Sequence, residues 1–326
     1  MSQSPRIEDP ASNIAVYRSL AEIPRGIGPS VAAIGNFDGV HLGHQEILAS
    51  VVRQAKTLGA RAVAITFDPH PQQFLRPERT RRIITPLGER LRLLSKTGID
   101  TVLVLPFDAH LANMTARDFA QNVLKGMLNV RAMHEGANFR FGQGAAAGVE
   151  ELAEFGAELG FAVQLHEAVK VHRLEVSSSA IRKLVAEGDV RRARWMLGRH
   201  FALLSASARG RGIGAKQVVP TVNLAPYDGL IPAMGVYVTR LKIADSVYQA
   251  VTNVGNRPTF GPDSFAIESH ILDYELPELP EDAPLELEFL MRLRGEIAWP
   301  SPEALKAQIF KDMEKAKRYF RRTLQR

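Results

Sequence analysis

The sequence contains no cysteine among its 326 residues. This absence excludes disulfide bonds, zinc–thiolate sites, iron–sulfur clusters and cysteine nucleophiles, and it fits a reducing compartment. No apolar run approaches the roughly 20 residues that a membrane-spanning helix needs, and residues 1–13 carry no apolar signal core. We therefore expect a cytoplasmic protein with no membrane partner.

A strong excess of one charge is also absent. The chain has 41 lysines and arginines against 35 aspartates and glutamates, a net charge of +6, and the two signs are mostly interspersed. Small phosphate-bearing ligands explain this balance as well as a nucleic acid does. Because no basic stripe interleaved with aromatic residues is present, we expect small-molecule substrates and no nucleic acid. A basic, non-catalytic nucleotide- or RNA-binding protein is the alternative, and no pattern predicts an oligomeric state.

The N-terminal half alternates short apolar segments with amphipathic ones. The pattern predicts strands at 31–34, 61–67, 101–106, 130–133 and 161–165 and helices at 44–58, 87–96, 115–128 and 149–159. Continuous apolar strands separated by helices indicate a parallel sheet that is covered on both faces, that is, an α/β domain. Ligands of such sheets bind beyond the carboxyl ends of the strands, so the loops at those ends are the places to search for a site.

The loop after the first predicted strand has the sequence GNFDGVHLGH and ends in His41 and His44. A helix start offers unpaired N–H groups to an anion, and two histidines three residues apart lie on one helical face. This spacing suits the binding of a polyphosphate without a Walker loop. The alternative is two surface histidines near a helix start.

The C-terminal half changes rhythm after an arginine-rich helical connector at 187–199. Short β-branched segments follow at 218–224, 235–243, 247–253, 265–273 and 285–292, with turn residues between them. Strands without intervening helices predict an antiparallel barrel or sandwich, and apolar residues at helical spacing predict a final helix over 302–323. We expect domains at 14–186 and 200–326, joined by the connector.

A second chemical motif, RGRGIGAKQVVPTVN, spans residues 209–223. A flexible loop with glycine amides and cations can enclose phosphates, and the residues that would do so are Gly210, Gly212, Gly214 and Lys216. Thr221 and Asn223 alternate on one strand face and offer oxygen ligands to a hard cation such as Mg²⁺. The alternative is a solvated glycine-rich turn.

Several segments together resemble one known family, the prokaryotic bifunctional riboflavin kinase/FAD synthetases. The matching segments are, in order, GNFDGVHLGH, TFDPHP, LPFD, GANFRFGQG, VSSSAIR, PTVN, MGVYV and NVGNRPTF. The resemblance covers roughly residues 30 to 322. It implies a Rossmann-like nucleotidyltransferase domain marked by HxGH, followed by a riboflavin kinase barrel with a terminal helix. The implied reactions are phosphorylation of riboflavin to FMN by ATP and adenylylation of FMN to FAD with release of pyrophosphate, both with Mg²⁺.

The resemblance also implies roles for particular residues. His41 and His44 would hold ATP phosphates as catalytic groups, and Glu268 would be the base that accepts the proton of the ribityl hydroxyl. The implied nucleotide pocket comprises Gly35, Asn36, Phe37, Asp38, Ser177, Ser178 and Arg182. The implied flavin contacts are Asn138, Phe139 and Arg294.

Simpler structural alternatives stand beside several of these roles. SSSAIR could simply cap a helix, Phe139 could belong to the core, Glu268 could lie on the polar face of a strand, and Arg294 could be a surface residue. Asp68 and His70 of TFDPHP are second-rank candidates, since a rigid turn explains them equally well. The chain departs from the family's usual GFPTAN at 218–223, so an enzyme with FMN adenylyltransferase activity alone is a further alternative.

Overall fold

A computed structural model describes residues 14–24, 26–79, 82–208, 220–256, 265–274, 279–297 and 299–324. Packing divides the chain into two units, the first ending at Ser178 and the second beginning at Ser179. The predicted phosphate-loop residues Gly210, Gly212, Gly214 and Lys216 lie outside the described residues. None of the helices in the described ranges is long and apolar enough to cross a bilayer.

The first unit contains a six-stranded parallel sheet in the order β1-β4-β3-β2-β5-β6. The strands are β1 (Ala15–Tyr17), β2 (Ser30–Ile34), β3 (Arg61–Asp68), β4 (Thr101–Pro106), β5 (Val130–Gly136) and β6 (Ala162–His166). The predicted parallel α/β domain is therefore confirmed. The short edge strand β1 was not predicted. A separate two-stranded ribbon, β7 (Lys170–Val171) and β8 (Leu174–Glu175), follows the sheet.

The helices of this unit lie between the strands. They are α1 (Leu42–Leu58), α2 (Pro71–Leu75), α3 (Leu87–Ser95), α4 (Ala109–Asn113), α5 (Ala116–Asp118) and α6 (Val149–Leu159). The helix predicted at 115–128 is present as two segments, because α5 continues as a π-helical segment, Phe119–Met127. The Leu128 N–H donates to Val123 O, five residues back. Apolar spacing alone does not distinguish this wider turn from an α-helix.

Strand β2 is buried on both faces, and all five of its residues are inaccessible. Val31 and Ala33 pack into the core beneath α1 and α3. Ala32 and Ile34 pack into the opposite core, with the π-helical segment and α6. Since alternate strand residues point to opposite faces, this division explains why the strand has no polar side chain after Ser30.

The two strands that flank the switch in strand order separate near their carboxyl ends. Strand β3 pairs with one edge of β2, and β5 pairs with the other edge, so the strand order changes direction at β2. The crevice that such a change creates at the carboxyl ends of the strands therefore lies between β2 and β5. Their pairing ends at Ala32 and Met133, although both strands continue. The Ile34 N–H instead donates to Glu135 Oε1 at 2.7 Å. Glu135 is only 3% exposed, and its burial raises its pKa well above 4.5.

Replacement of Glu135 by glutamine should change how stability depends on pH. Because the folded state raises the pKa of Glu135, it binds a proton more tightly than the unfolded chain does. The wild type therefore loses stability as pH rises from 4.5 towards the folded pKa, by about 1.4 kcal/mol for every pH unit between those two values. Glu135→Gln keeps the acceptor for Ile34 N–H and should lack this loss.

Urea unfolding of the two proteins at pH 5 and pH 8, followed by far-ultraviolet circular dichroism, measures this difference. Both tryptophans, Trp195 and Trp299, lie in the second unit, so a transition absent from tryptophan fluorescence belongs to the first. The exposed Glu154 supplies the matched control, Glu154→Gln. An equal pH dependence in wild type and Glu135→Gln would contradict the raised pKa.

The second unit is built around a closed antiparallel barrel in the order β10-β13-β12-β11-β14-β9. Its strands are β9 (Phe201–Ala208), β10 (Val222–Leu224), β11 (Gly235–Ile243), β12 (Ser246–Asn256), β13 (Phe265–Ile271) and β14 (Pro284–Gly295). The barrel, one of the two predicted forms, is confirmed, while β9 was not among the predicted strands. Of the predicted strand at 218–224, residues 218 and 219 lie outside the described residues.

Three helices of the described residues accompany the barrel: α7 (Ser178–Ala186), which begins at the last residue of the first unit, α8 (Val190–Leu197) and the terminal α9 (Pro302–Leu324). The predicted terminal helix is confirmed. Its buried residues Ala316 and Phe320 pack on the outer face of the barrel, against Val236, Val238 and Val251. The outer face of β11 and β12 is therefore apolar where α9 lies on it.

Candidate functional site

The loop after β2 turns tightly at the carboxyl edge of the sheet. The Gly35 N–H still donates to Ile65 O of β3 at 3.0 Å, after which the chain leaves the sheet. Phe37 has a φ of 46° and is 2% exposed. A Cβ at position 35 would lie 3.1 Å from the Phe37 ring, a tight contact that glycine avoids.

The two histidines lie together, as their spacing predicts. His41 is the N-cap of α1, and its Nδ1 accepts the His44 N–H at 3.3 Å. The two rings are stacked with centroids 3.6 Å apart, and the Phe37 ring meets the His44 ring edge-on, with centroids 5.3 Å apart. Burial, and then the neighbouring His41, lower the pKa of His44 well below 6.5. His44 is therefore neutral at neutral pH, and its buried Nδ1 has no hydrogen-bond partner among the described residues.

The carboxylate of Asp38 holds this loop to a neighbouring segment. Its Oδ1 accepts the N–H groups of Ile84 and Thr85, both at 2.9 Å. The Gly39 N–H donates to the Thr85 hydroxyl at 3.0 Å. Asp38 is 2% exposed, so its side chain fixes the shape of the loop. Its backbone carbonyl, in turn, accepts the Ser178 hydroxyl at 2.8 Å.

The SSSAIR motif straddles the boundary between the units. Ser178 is the first residue of α7 and contacts the loop after β2 within the first unit, as described above. Ser177 precedes it directly. Arg182 lies one turn further along α7, in the second unit.

The other predicted residues at this edge of the first unit follow β3 and β5. His70 caps α2, its Nδ1 accepting the Gln72 N–H at 3.2 Å, which supports the rigid-turn alternative for TFDPHP. Asn138 is exposed after β5. Phe139 stacks on Phe141 at 5.3 Å and packs against the core, as its alternative interpretation expected.

In the barrel, the predicted residues Asn223 and Glu268 form one row across three strands with Asn253, which was not predicted. Asn223 on β10 lies directly opposite Glu268 on β13, and Glu268 lies directly opposite Asn253 on β12. Side chains of directly paired residues point to the same face, with Cβ atoms roughly 5 Å apart. The next residues along two of these strands, Thr252 and Ser269, are fully buried in the barrel interior. The row therefore lies on the outer face.

A hydrogen bond fixes one end of this row, and strand pairing fixes the other. The His270 Nδ1–H donates to Pro220 O at 2.7 Å, which fixes the chain just before Thr221. At the other end, Val236 pairs with both Asn253 and Arg294. The row itself combines the amides of Asn223 and Asn253 with the carboxylate of Glu268, and Thr221, with its hydroxyl, lies two residues before Asn223 along the chain.

Comparisons with known proteins show the family of this chain. Family models described as FAD synthetase and riboflavin kinase match residues 25–180 and 197–320. A bifunctional riboflavin kinase/FMN adenylyltransferase from Pseudomonas fluorescens is 33% identical over 88% of this chain and 92% of its own. The chain belongs to the bifunctional riboflavin kinase/FMN adenylyltransferase family.

Two further matches agree in extent. The Escherichia coli K12 bifunctional riboflavin kinase/FMN adenylyltransferase is 30% identical over 89% of this chain and 92% of its own. A crystal structure described as a macrolide-efflux protein from Streptococcus pneumoniae is 26% identical, with a TM-score of 0.82 over 93% of this chain and 98% of that one. This bifunctional enzyme thus uses ATP to phosphorylate riboflavin to FMN and to adenylylate FMN to FAD, as the resemblance implied.

Arg90 of this bifunctional enzyme was missed from the sequence. Its guanidinium is buried on α3, with Nη1 donating to Asn36 O at 2.8 Å and Nη2 to Phe67 O at 3.1 Å. Burial lowers its pKa below 12.5, while Asp38 and Asp68 oppose that shift. A signal was present, because Arg90 occupies an apolar helical position between Leu87 and Leu94.

Arg294 is held by the terminal helix. Its Nε donates to Asp312 Oδ2 at 2.8 Å, and its guanidinium lies 5.5 Å from the centroid of the Trp299 ring. Asp312 is 1% exposed and also accepts the Gln308 Nε2–H at 2.9 Å. The surface-arginine alternative is therefore wrong, since this side chain is only 15% exposed.

Three hydroxyls line up inside the barrel behind the row. Thr239 and Thr252 lie 2.7 Å apart, and Thr252 and Ser269 lie 2.8 Å apart. All three residues are fully buried. Because Thr252 and Ser269 neighbour Asn253 and Glu268 along their strands, the hydroxyl bonds fix the strands that carry the row.

Thr252→Val should therefore destabilise the second unit by about 1–3 kcal/mol, because it leaves two buried hydroxyls without their shared partner. Urea unfolding followed by tryptophan fluorescence measures this loss, since both tryptophans lie in that unit. A triple variant, Thr239→Val, Thr252→Val and Ser269→Ala, removes all three hydroxyls and should be more stable than Thr252→Val alone. A single variant as stable as wild type would show that the hydroxyl bonds contribute nothing.

Proposed function

We propose that adenylyl transfer takes place at the carboxyl edge of the first unit, where His41 and His44 hold the phosphates of ATP. The observation that carries this proposal is the neutral, buried His44 at the start of α1, whose Nδ1 has no partner in the part of the chain that the structure describes. A phosphate oxygen can take that position, and the N–H groups of the first turn of α1 favour an anion there.

The reaction at this site is an in-line displacement. An oxygen of the FMN phosphate attacks the α-phosphorus of ATP, the bond to the bridging oxygen breaks, and pyrophosphate leaves. Such a step needs positioning and charge stabilisation more than covalent catalysis. Gly35, Asn36 and Phe37 shape the nucleotide pocket, and Asn138 offers an exposed amide to the flavin. Asp38 acts through the loop that it anchors.

Ser177, Ser178 and Arg182 complete the proposed nucleotide site, with Arg182 supplying a guanidinium for phosphate. This assignment comes from the resemblance. We also propose domain limits at 14–186 and 200–326, with 187–199 as the connector, from the change in sequence pattern at that connector.

The proposed kinase site is the row Asn223, Glu268 and Asn253 on the outer face of the barrel. Glu268 accepts the proton of the ribityl hydroxyl while the hydroxyl oxygen attacks the γ-phosphorus of ATP, and ADP leaves. The observation that carries this assignment is the direct pairing of Glu268 with two asparagines. Arg294, held by Asp312, closes the flavin side.

The row also fits Mg²⁺. The hydroxyl of Thr221 and the amide oxygen of Asn223 are neutral oxygen donors, and Asn223 pairs directly with Glu268. Hard cations prefer such oxygen ligands. Mg²⁺, when bound, would neutralise charge on the ATP phosphates. The cytoplasmic location stays a prediction from the sequence.

His44→Ala should stop product formation at FMN, because only adenylyl transfer uses this side chain. The measurement is chromatographic separation of flavins over time, with riboflavin, ATP and Mg²⁺ supplied to the full chain. Riboflavin phosphorylation by the same variant serves as the control and should match wild type within about twofold. FAD formation at the wild-type rate would remove His44 from the site.

Glu268→Gln is the reciprocal experiment. It should lower the rate of FMN formation at least about 100-fold, the usual range for loss of a general base. FAD formation from supplied FMN should be unaffected, which shows that the variant is folded in its first unit. Near-normal riboflavin phosphorylation in this variant would assign the base to another group.

A further inference from the structure

The guanidinium of Arg90 joins two loops at the carboxyl edge of the first sheet. It donates to Asn36 O in the loop after β2 and to Phe67 O at the end of β3, and it lies 3.8 Å from Asp68 Oδ1. The Asn36 carbonyl also accepts the Thr66 hydroxyl at 3.2 Å. Since the Arg90 side chain is only 5% exposed, a solvent-side role does not explain it.

These bonds set the direction of a peptide group. The peptide bond between Asn36 and Phe37 is trans, since the cis bonds in the described ranges precede Pro29 and Pro69. In a trans peptide the C=O and N–H point in opposite directions. Arg90 draws the Asn36 carbonyl towards α3, so the N–H of Phe37 points away from α3.

That N–H is left without an acceptor. Within the described part of the chain, no carbonyl or side chain accepts the Phe37 N–H. The Phe37 ring packs against His44, whose Nδ1 also lacks a partner. Two polar groups of the same loop and helix start are thus available to a ligand. A buried N–H without a partner is rare, and oriented N–H groups at a loop suit an anion.

We infer that Arg90 is a positioning residue for adenylyl transfer, which aims the Phe37 N–H at a phosphate oxygen of ATP by binding the Asn36 carbonyl. The inference rests on the proposed location of the ATP phosphates at His41 and His44. Lysine cannot replace this function fully, because a single ammonium does not match the two carbonyls with the planar fork of a guanidinium.

The test compares Arg90→Met, Arg90→Lys and a matched control, Arg92→Met, in the full chain. Arg92 lies on the same helix but is 35% exposed and bonded to Glu89. The readouts are kcat/KM for ATP and KM for FMN during FAD formation, with riboflavin phosphorylation measured in the same samples. We expect Arg90→Met to lower kcat/KM for ATP at least about tenfold. Arg90→Lys should show a smaller loss, and KM for FMN should be unchanged.

Two results would overturn the inference. One is a kcat/KM for ATP within threefold of wild type in Arg90→Met. The other is an equal loss towards ATP and FMN, which would indicate a merely structural role. If Arg90→Met does not fold, Arg90→Lys decides by the same two criteria. His44→Ala separates the two proposals, since normal FAD formation by that variant would refute the location of the ATP site, whatever Arg90 does.

Discussion

Burial of β2 on both faces is the constraint on which the first unit depends. Because apolar cores cover both faces of β2, the chain can reach a ligand only beyond the carboxyl end of the strand, where it leaves the sheet through a tight loop. The loop cannot rely on the sheet for its hydrogen bonds, so side chains supply them. Asp38 holds the loop from one side and Arg90 from another. The polar atoms left without a partner in the described residues belong to the loop and helix start where we propose that ATP binds.

In the second unit, closure of the barrel fixes the positions of the site residues. A barrel has no free edge, so each strand has a fixed register on both sides. Glu268 is therefore placed between Asn223 and Asn253 by backbone pairing alone. The first unit orients its site through side chains that reach the backbone, whereas the second orients its site through strand register.

The sequence predicted most of this architecture because long apolar segments and their spacing dominate it. The strand at 101–106 and the helix at 149–159 have the predicted bounds. Four strands of the described residues were missed: β1 has only three residues, β7 and β8 have two each, and β9 follows directly on the connector. The resemblance assigned functional roles to His41, His44, Asn223 and Glu268. In the structure the two histidine rings stack on each other, and Asn223 pairs with Glu268 across neighbouring strands.

Arg90 and Asn253 could not be found in the same way. A charged residue in an amphipathic helix is usually assigned to solvent, and only the three-dimensional crossing of α3 with two loop ends gives Arg90 its carbonyl partners. Asn253 gains its meaning from cross-strand pairing, which no local pattern encodes. Phe139 is a case in which the motif pointed to a binding residue, whereas in the structure the side chain packs against the core.

The three hydroxyls inside the barrel have one more consequence. Thr239, Thr252 and Ser269 form two hydrogen bonds but carry three protons, and in each bond either oxygen can be the donor. When the bonds run in one direction, the spare proton lies on the hydroxyl at one end of the chain, and reversal moves it to the other. The interior of the barrel therefore holds a small dipole with two orientations, directly behind the strands that present Glu268 and Asn253.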